Sequence, residues 1–213
     1  MKIFSKVTVL AAVLIGGMAS AFAQPALYVE GTHYENIASP VRTADPNKIE
    51  VTEIFWYGCP HCYAFEPLIT SWEENLPSDV AFVRSPGMWN KTMEIHAQIY
   101  YAAEALGVTD DIHGVAFNEI HLKRNYLQSE DAVKALFVGE GVAADDFDKT
   151  WSSFSVTSAV KRANTRMRDY GVKGVPSMVV NGKYLVSVGG PVASQTDMLK
   201  IVDFLVRKER DDS

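Results

Sequence analysis

Residues 55–65 read FWYGCPHCYAF and hold both cysteines of the chain, Cys59 and Cys62. Two cysteines separated by two residues serve as a structural clip, as half of a metal site or as a redox couple. The flanking residues narrow the choice. Lys48 to Tyr57 (KIEVTEIFWY) is β-branched and aromatic, the pattern of a buried strand. Pro60 suits a first helical turn, and Tyr63 to Asn75 carries apolar residues at helical spacing until Pro77 stops it. Val80 to Ser85 (VAFVRS) reads as the next strand, so the cysteines occupy the strand-to-helix junction of a parallel β-α-β crossover.

Outward from that unit the signal changes. Residues 91–170 are helical throughout, in MEIHAQIYYAAEALG, DIHGVAFNEIHLKRN, SEDAVKALFVGEG, DDFDKTWSSF and SVTSAVKRANTRMRDYG. Ser129 opens one of these helices, and Gly139 and Gly141 close it. No repeat of constant length appears. The strand pattern returns in SMVVNGKYLVSVG, where Asn181-Gly182 marks a hairpin because both turn positions favour positive φ. Ser194 to Arg210 is a last helix with Met198, Ile201, Val202 and Leu205 on one face. The order is β-α-β, a helical block, then β-β-α: an α/β sheet with helices on its faces and an all-helical insertion.

Residues 1–23 carry Lys2 and Lys6, an apolar run from Val7 to Ile15 and a closing Ala21-Phe22-Ala23. This is the order of a secretory signal with cleavage expected near Ala23. Its apolar run is shorter than the roughly 20 residues a membrane-spanning helix needs. The mature chain of about 190 residues is expected to be exported, and without Lys2 and Lys6 it has 18 basic against 26 acidic side chains, a formal charge of −8. That balance argues against nucleic acid, which is bound through Lys and Arg on phosphates.

A clip that closes four residues removes about 2 kcal/mol of unfolded-chain entropy, against about 4.7 for a 100-residue loop, so it is a poor staple. Structural zinc wants four ligands, and neither a second cysteine pair nor a close histidine pair exists; His33, His96, His113 and His121 read as surface or packing residues. Haem attachment needs His directly after Cys62, where Tyr63 stands. The redox reading uses every local feature. Cys59, at a helix start, meets unpaired N–H groups and the positive end of the dipole, which favour a thiolate. His61 adds a proton or donor beside the same sulfur, and Cys62, one turn inside, is the shielded partner.

Cys59-Pro60-His61-Cys62 with Tyr63-Ala64-Phe65-Glu66, together with GVPSMVVNGKY from Gly174 to Tyr184, resembles the DsbA family of periplasmic thiol:disulfide oxidoreductases. The likeness covers nearly the whole mature chain. It implies a thioredoxin-like fold in two parts, residues 24–90 and 171–213, around a helical insertion at 91–170. It also implies a cis Val175-Pro176 bond beside Cys59, where an extended substrate pairs with the Val175 backbone. The activity implied is donation of the Cys59–Cys62 disulfide to unfolded or reduced exported proteins, followed by reoxidation by a quinone-linked inner-membrane partner. No cofactor beyond that disulfide is implied.

Trp56, Tyr57, Met88 and Trp89 are candidates for an apolar surface around the site, although each is individually more often core. Glu53 shares a strand face with Val51 and Phe55 and so points into apolar surroundings, where a charge needs a partner. The resemblance places an acidic side chain there behind the buried cysteine, with Arg84 as its basic neighbour where Lys is frequent in the family. Glu53 is accordingly a candidate for moving protons to or from Cys62. A disulfide isomerase or reductase and a peptide-binding holdase with incidental cysteines stay open as alternatives. Isomerases of this fold usually carry an N-terminal dimerisation domain, and about 24 residues separate Ala23 from the Lys48 strand, which favours a monomeric oxidase.

Overall fold

The computed structural model describes residues 27–212; the expected signal segment 1–23 and its cleavage site lie outside the described residues. The elements run β1 (Glu35–Asn36), β2 (Ile49–Phe55), α1 (Pro60–Glu73), β3 (Val80–Pro86), α2 (Lys91–Leu106), α3 (Thr109–His121), α4 (Glu130–Gly139), α5 (Ala144–Trp151), α6 (Phe154–Asp169), β4 (Ser177–Val180), β5 (Tyr184–Ser187) and α7 (Gln195–Asp211). The five strands form one sheet in the order β1-β5-β4-β2-β3. β2 and β3 are parallel, as their connection through α1 requires, and β2 pairs antiparallel with β4 on its other side.

β2 lies between β4 and β3 and is buried along its whole length. Its Val51 packs with Phe65 and Ile69 of α1, Met178 and Val180 of β4, and Ile201, Val202 and Leu205 of α7. Ile54, on the other face, packs with Met167, Tyr170, Val172 and Val179. The hairpin forms as its turn chemistry dictates: Asn181 and Gly182 take φ of 50° and 62°, and Lys183 N–H closes the turn on Val180 O at 2.9 Å. β1, which no periodicity in its two residues announces, pairs with Tyr184 and Leu185 on the sheet edge.

The strand expected to reach Tyr57 ends at Phe55. The chain then leaves the sheet, closed by Cys59 N–H on Trp56 O at 2.9 Å, and this places Cys59 at the N-cap of α1 with Pro60 at the first helical position. The helical stretch is interrupted by a loop at 122–129. Ser129 caps α4 by accepting from Ala132 N–H at 3.3 Å, and Gly141 follows that helix with φ 90°. The core of the helical subdomain, including Ile99, Phe117, Phe137 and Phe147, runs without a break into Phe55, Tyr57, Cys59 and Cys62. The cysteine motif therefore forms the seam between the sheet and the insertion.

Candidate active site

A side chain at an N-cap is where a helix presents its free N–H groups. The N–H groups of His61 and Cys62 face the Cys59 sulfur, and no carboxylate in the first turn competes with it. Both cysteines are free thiols, Cys59 only 7% exposed and Cys62 fully buried. The Cys59 thiol is lowered to about 6, first by the Cys62 S–H donated to it, then, against opposing desolvation, by the N–H groups of Cys62 and His61 and by the His61 charge. Burial and the adjacent Cys59 push the Cys62 thiol far above its ordinary range. At neutral pH one proton thus resides on Cys62, and Cys59 is mainly thiolate.

The Val175-Pro176 bond is cis, and the Val175 carbonyl oxygen lies 3.5 Å from Cys59 Sγ. A cleft of about 770 Å³ borders this loop, lined among others by His61, Val175, Pro176, Leu185 and Gln195. Gln195, the first residue of α7, donates to the His61 carbonyl at 2.6 Å and so ties the exposed His61 backbone to the cleft wall.

Behind Cys62 lies a buried charge cluster. Glu53 is completely inaccessible and pairs in register with Arg84 of β3. Arg84 Nε stands 3.4 Å from Glu53 Oε2, within ion-pair distance but outside hydrogen-bond geometry, so both carboxyl oxygens lack a hydrogen-bond partner among the described residues. The same guanidinium reaches Glu73 at 3.1 Å and Glu66 at 4.0 Å. Burial, reinforced by Glu66 and only partly countered by Arg84, raises the Glu53 carboxyl to about 8, so it is largely protonated at neutral pH.

Three histidines of the insertion converge on the motif, which their separation in sequence did not reveal. His113 bridges Tyr57 Oη at 3.0 Å through Nδ1 and Glu66 Oε2 at 3.2 Å through Nε2, whose N–H donates to the carboxylate; burial keeps the Tyr57 hydroxyl protonated. His121 Nε2–H donates to the Tyr57 carbonyl at 2.8 Å, and its ring stacks on Tyr63 at 4.7 Å. Trp56 Nε1–H donates to His96 Nδ1 at 2.9 Å, which leaves Nε2–H for the Tyr126 carbonyl at 3.0 Å. One signal was available: His113, Phe117 and His121 recur every four residues and share a face of α3. Among the described residues no group of three or more His, Cys, Asp or Glu side chains is arranged to hold a metal ion.

The expected apolar surface needs correction. Met88 is 3% exposed and packs with Met93, Ala97 and Ala163, its N–H directed at Met167 Sδ, and Tyr57 is buried beneath the motif. Neither offers surface to a substrate. Trp56 is half-buried, and Trp89 is exposed. Periodicity could not separate these cases, because turns at the ends of β2 and β3 set which way each side chain points.

A family model described as a DSBA-like thioredoxin domain matches residues 79–199. The thiol:disulfide interchange protein DsbA of Pseudomonas aeruginosa is 42% identical over 199 residues, spanning 91% of this chain and 92% of its own. The protein of the same name from Burkholderia cepacia is 36% identical over 200 residues, 92% of this chain and 93% of its own. The crystal structure of Pseudomonas aeruginosa DsbA superposes with a TM-score of 0.82 at 40% identity, covering 87% of this chain and 96% of that one. The oxidoreductase DsbA from Xylella fastidiosa gives 0.81 at 33% identity, covering 87% and 99%.

Proposed function

Because the chain belongs to the DsbA family of thiol:disulfide oxidoreductases, we propose that it works as an oxidase, handing its Cys59–Cys62 disulfide to reduced proteins exported to the periplasm. The observation that carries this direction is the asymmetry of the two sulfurs, with Cys59 lowered to about 6 and Cys62 pushed far upward. A thiolate held cheaply at Cys59 stabilises the reduced enzyme, which makes the disulfide oxidising, and it is also a good leaving group.

In the first step a client thiolate attacks Cys59 Sγ of the disulfide. The Cys59–Cys62 bond breaks, its electron pair leaves on Cys62, and Cys62 takes up a proton. The protonated Glu53 carboxyl behind it is the proposed donor. In the second step another client thiolate attacks the client sulfur of the mixed disulfide and expels Cys59 as thiolate. The client loses two electrons and two protons; the enzyme keeps the electrons and one proton, and the other proton goes to solvent. Val175 and Pro176 border the cleft beside Cys59, where an extended client strand is proposed to lie, and Trp56 adds apolar contact. Reoxidation is assigned to a membrane-bound, quinone-linked partner, and the working unit to a monomer.

Refolding of a reduced multi-cysteine protein tests the reading. The oxidised chain is expected to restore the client's disulfides stoichiometrically, and Cys59→Ser to restore none. A Cys59→Ser variant that assists refolding as well as the unmodified chain would identify a holdase instead.

A further inference from the structure

A second cleft, of about 520 Å³, shares no lining residue with the one beside Pro176, yet it also reaches the motif, through Gly58 and Pro60 on either side of Cys59. Its floor is the Trp56 ring, joined edge to edge with His96 through the Nε1–H to Nδ1 hydrogen bond at 2.9 Å, the two ring planes 27° apart. Gly58 leaves no room for a Cβ against that ring, so the ring lies flat along the backbone.

The far wall is the 122–129 loop between α3 and α4. Arg124 and Leu127 hold φ of 58° and 49°, a left-handed region that non-glycine residues occupy only when their surroundings over-determine it. Those surroundings are visible. Leu127 is buried, Asn125 N–H and Nδ2 bind the Glu119 carbonyl and carboxylate at 2.9 and 3.0 Å, and His96 fixes the Tyr126 carbonyl. The loop so held presents Tyr126 and Leu122, 56% and 66% exposed. Arg124 is the one Lys, Arg, Asp or Glu side chain that lines the cleft, and it makes no ion pair with any described residue. It stands as a cation on a chain of formal charge −6.

We propose that this cleft receives a segment of the client polypeptide flanking its reacting cysteine, and that it selects a segment with an aromatic or aliphatic residue next to an acidic one. Trp56 and Tyr126 take the apolar side chain, and Arg124 takes the carboxylate. The inference rests on the oxidase reading and adds a sequence preference to it. Continuity with the redox motif and the unpaired cation together favour this occupant over a second copy of the chain.

The test uses the oxidised full-length chain and single-cysteine peptides that carry Glu, Gln or Lys at successive positions on either side of the cysteine. At one flank the Glu peptide is expected to form the mixed disulfide about two- to fivefold faster than the Lys peptide, the range of an exposed ion pair, with the ratio shrinking in added salt. Arg124→Asn, whose new side chain tolerates positive φ, is expected to bring the Glu/Lys ratio to one, and Arg124→Glu to invert it. Arg207→Glu makes the same change of net charge about 18 Å along α7 from Gln195 and is expected to leave the ratio intact. A ratio unchanged in both Arg124 variants, or shifted equally by Arg207→Glu, overturns the proposal. So does concentration-dependent dimerisation that Tyr126→Ala abolishes. Peptides that all fail to react would overturn the oxidase reading itself, a result distinct from equal reactivity of all three.

Discussion

Cys59 Sγ and the Val175 carbonyl oxygen lie 3.5 Å apart, although 116 positions separate them in the chain. The carbonyl accepts from the thiol and so favours its protonated form. The Cys62 S–H and the N–H groups of the first helical turn favour the thiolate, and the donors prevail, since Cys59 is held at about 6. The reacting sulfur is thus poised between one acceptor and several donors. Its chemistry depends on both halves of the sheet domain.

That poise sets a pH dependence. On reduction by a thiol of ordinary pKa, the enzyme takes up one proton fewer wherever Cys59 stays ionised. The equilibrium constant with glutathione is expected to rise about tenfold per pH unit between about 6 and about 8.5, and to level off below 6. Equilibration in redox buffers of graded pH measures it, and a flat profile across that window contradicts a depressed Cys59.

The order of the influences on Cys59 is a separate prediction. The Cys62 S–H is the foremost of them and the His61 charge the least. Cys62→Ala should therefore raise the Cys59 titration midpoint more than His61→Ser does, as read from ultraviolet absorbance of the thiolate against pH. His61→Ser should still make the protein less oxidising, and an unchanged glutathione equilibrium in that variant would remove His61 from the mechanism.

Glu53→Gln removes the proposed proton donor while keeping shape. Mixed-disulfide formation in the native sequence should slow as pH rises past about 8, where Glu53 loses its proton, and the variant should be slower by about tenfold below that pH with no inflection there. Stability should fall with rising pH as well, over a lower window. The carboxyl ionises near 4.5 in the unfolded chain and near 8 in the fold, so the native state keeps a proton between these values and loses stability as pH climbs through them. Glu53→Gln should abolish a fall of ~5 kcal/mol in that window, measured by denaturant unfolding. Superimposable rate and stability profiles would leave the carboxyl without a role.

His96→Leu should cost about 1–3 kcal/mol, because it strands both Trp56 Nε1 and the Tyr126 carbonyl. Burial holds the His96 imidazole below its ordinary 6.5. The unfolded state then binds the extra proton first, and His96 is expected to withdraw stability as pH falls below about 6.5. The variant should lose that dependence, and its tryptophan emission should shift with the freed Trp56 ring. An unshifted spectrum would mean the ring is held by packing alone.

Much of this molecule is determined locally, and so the sequence by itself specified it. Proline at N1 after Cys59, the Asn181-Gly182 turn, Ser129 and the apolar stripe of α7 each act through backbone preferences within a few residues, and these place the cysteine pair at a helix start whatever lies elsewhere. The donors that favour a thiolate at Cys59 are supplied within that same turn. Tertiary structure decided the rest. Three histidines from α2 and α3 brace Trp56 and Tyr57, Arg84 is shared among Glu53, Glu66 and Glu73, Met88 turns inward, and β1 exists only because an edge was free to receive it. These depend on which surfaces the helical insertion presses against the sheet. A hydrogen bond between residues 40 or 60 positions apart leaves no mark on the spacing of either segment; it appears only when packing has brought the two together.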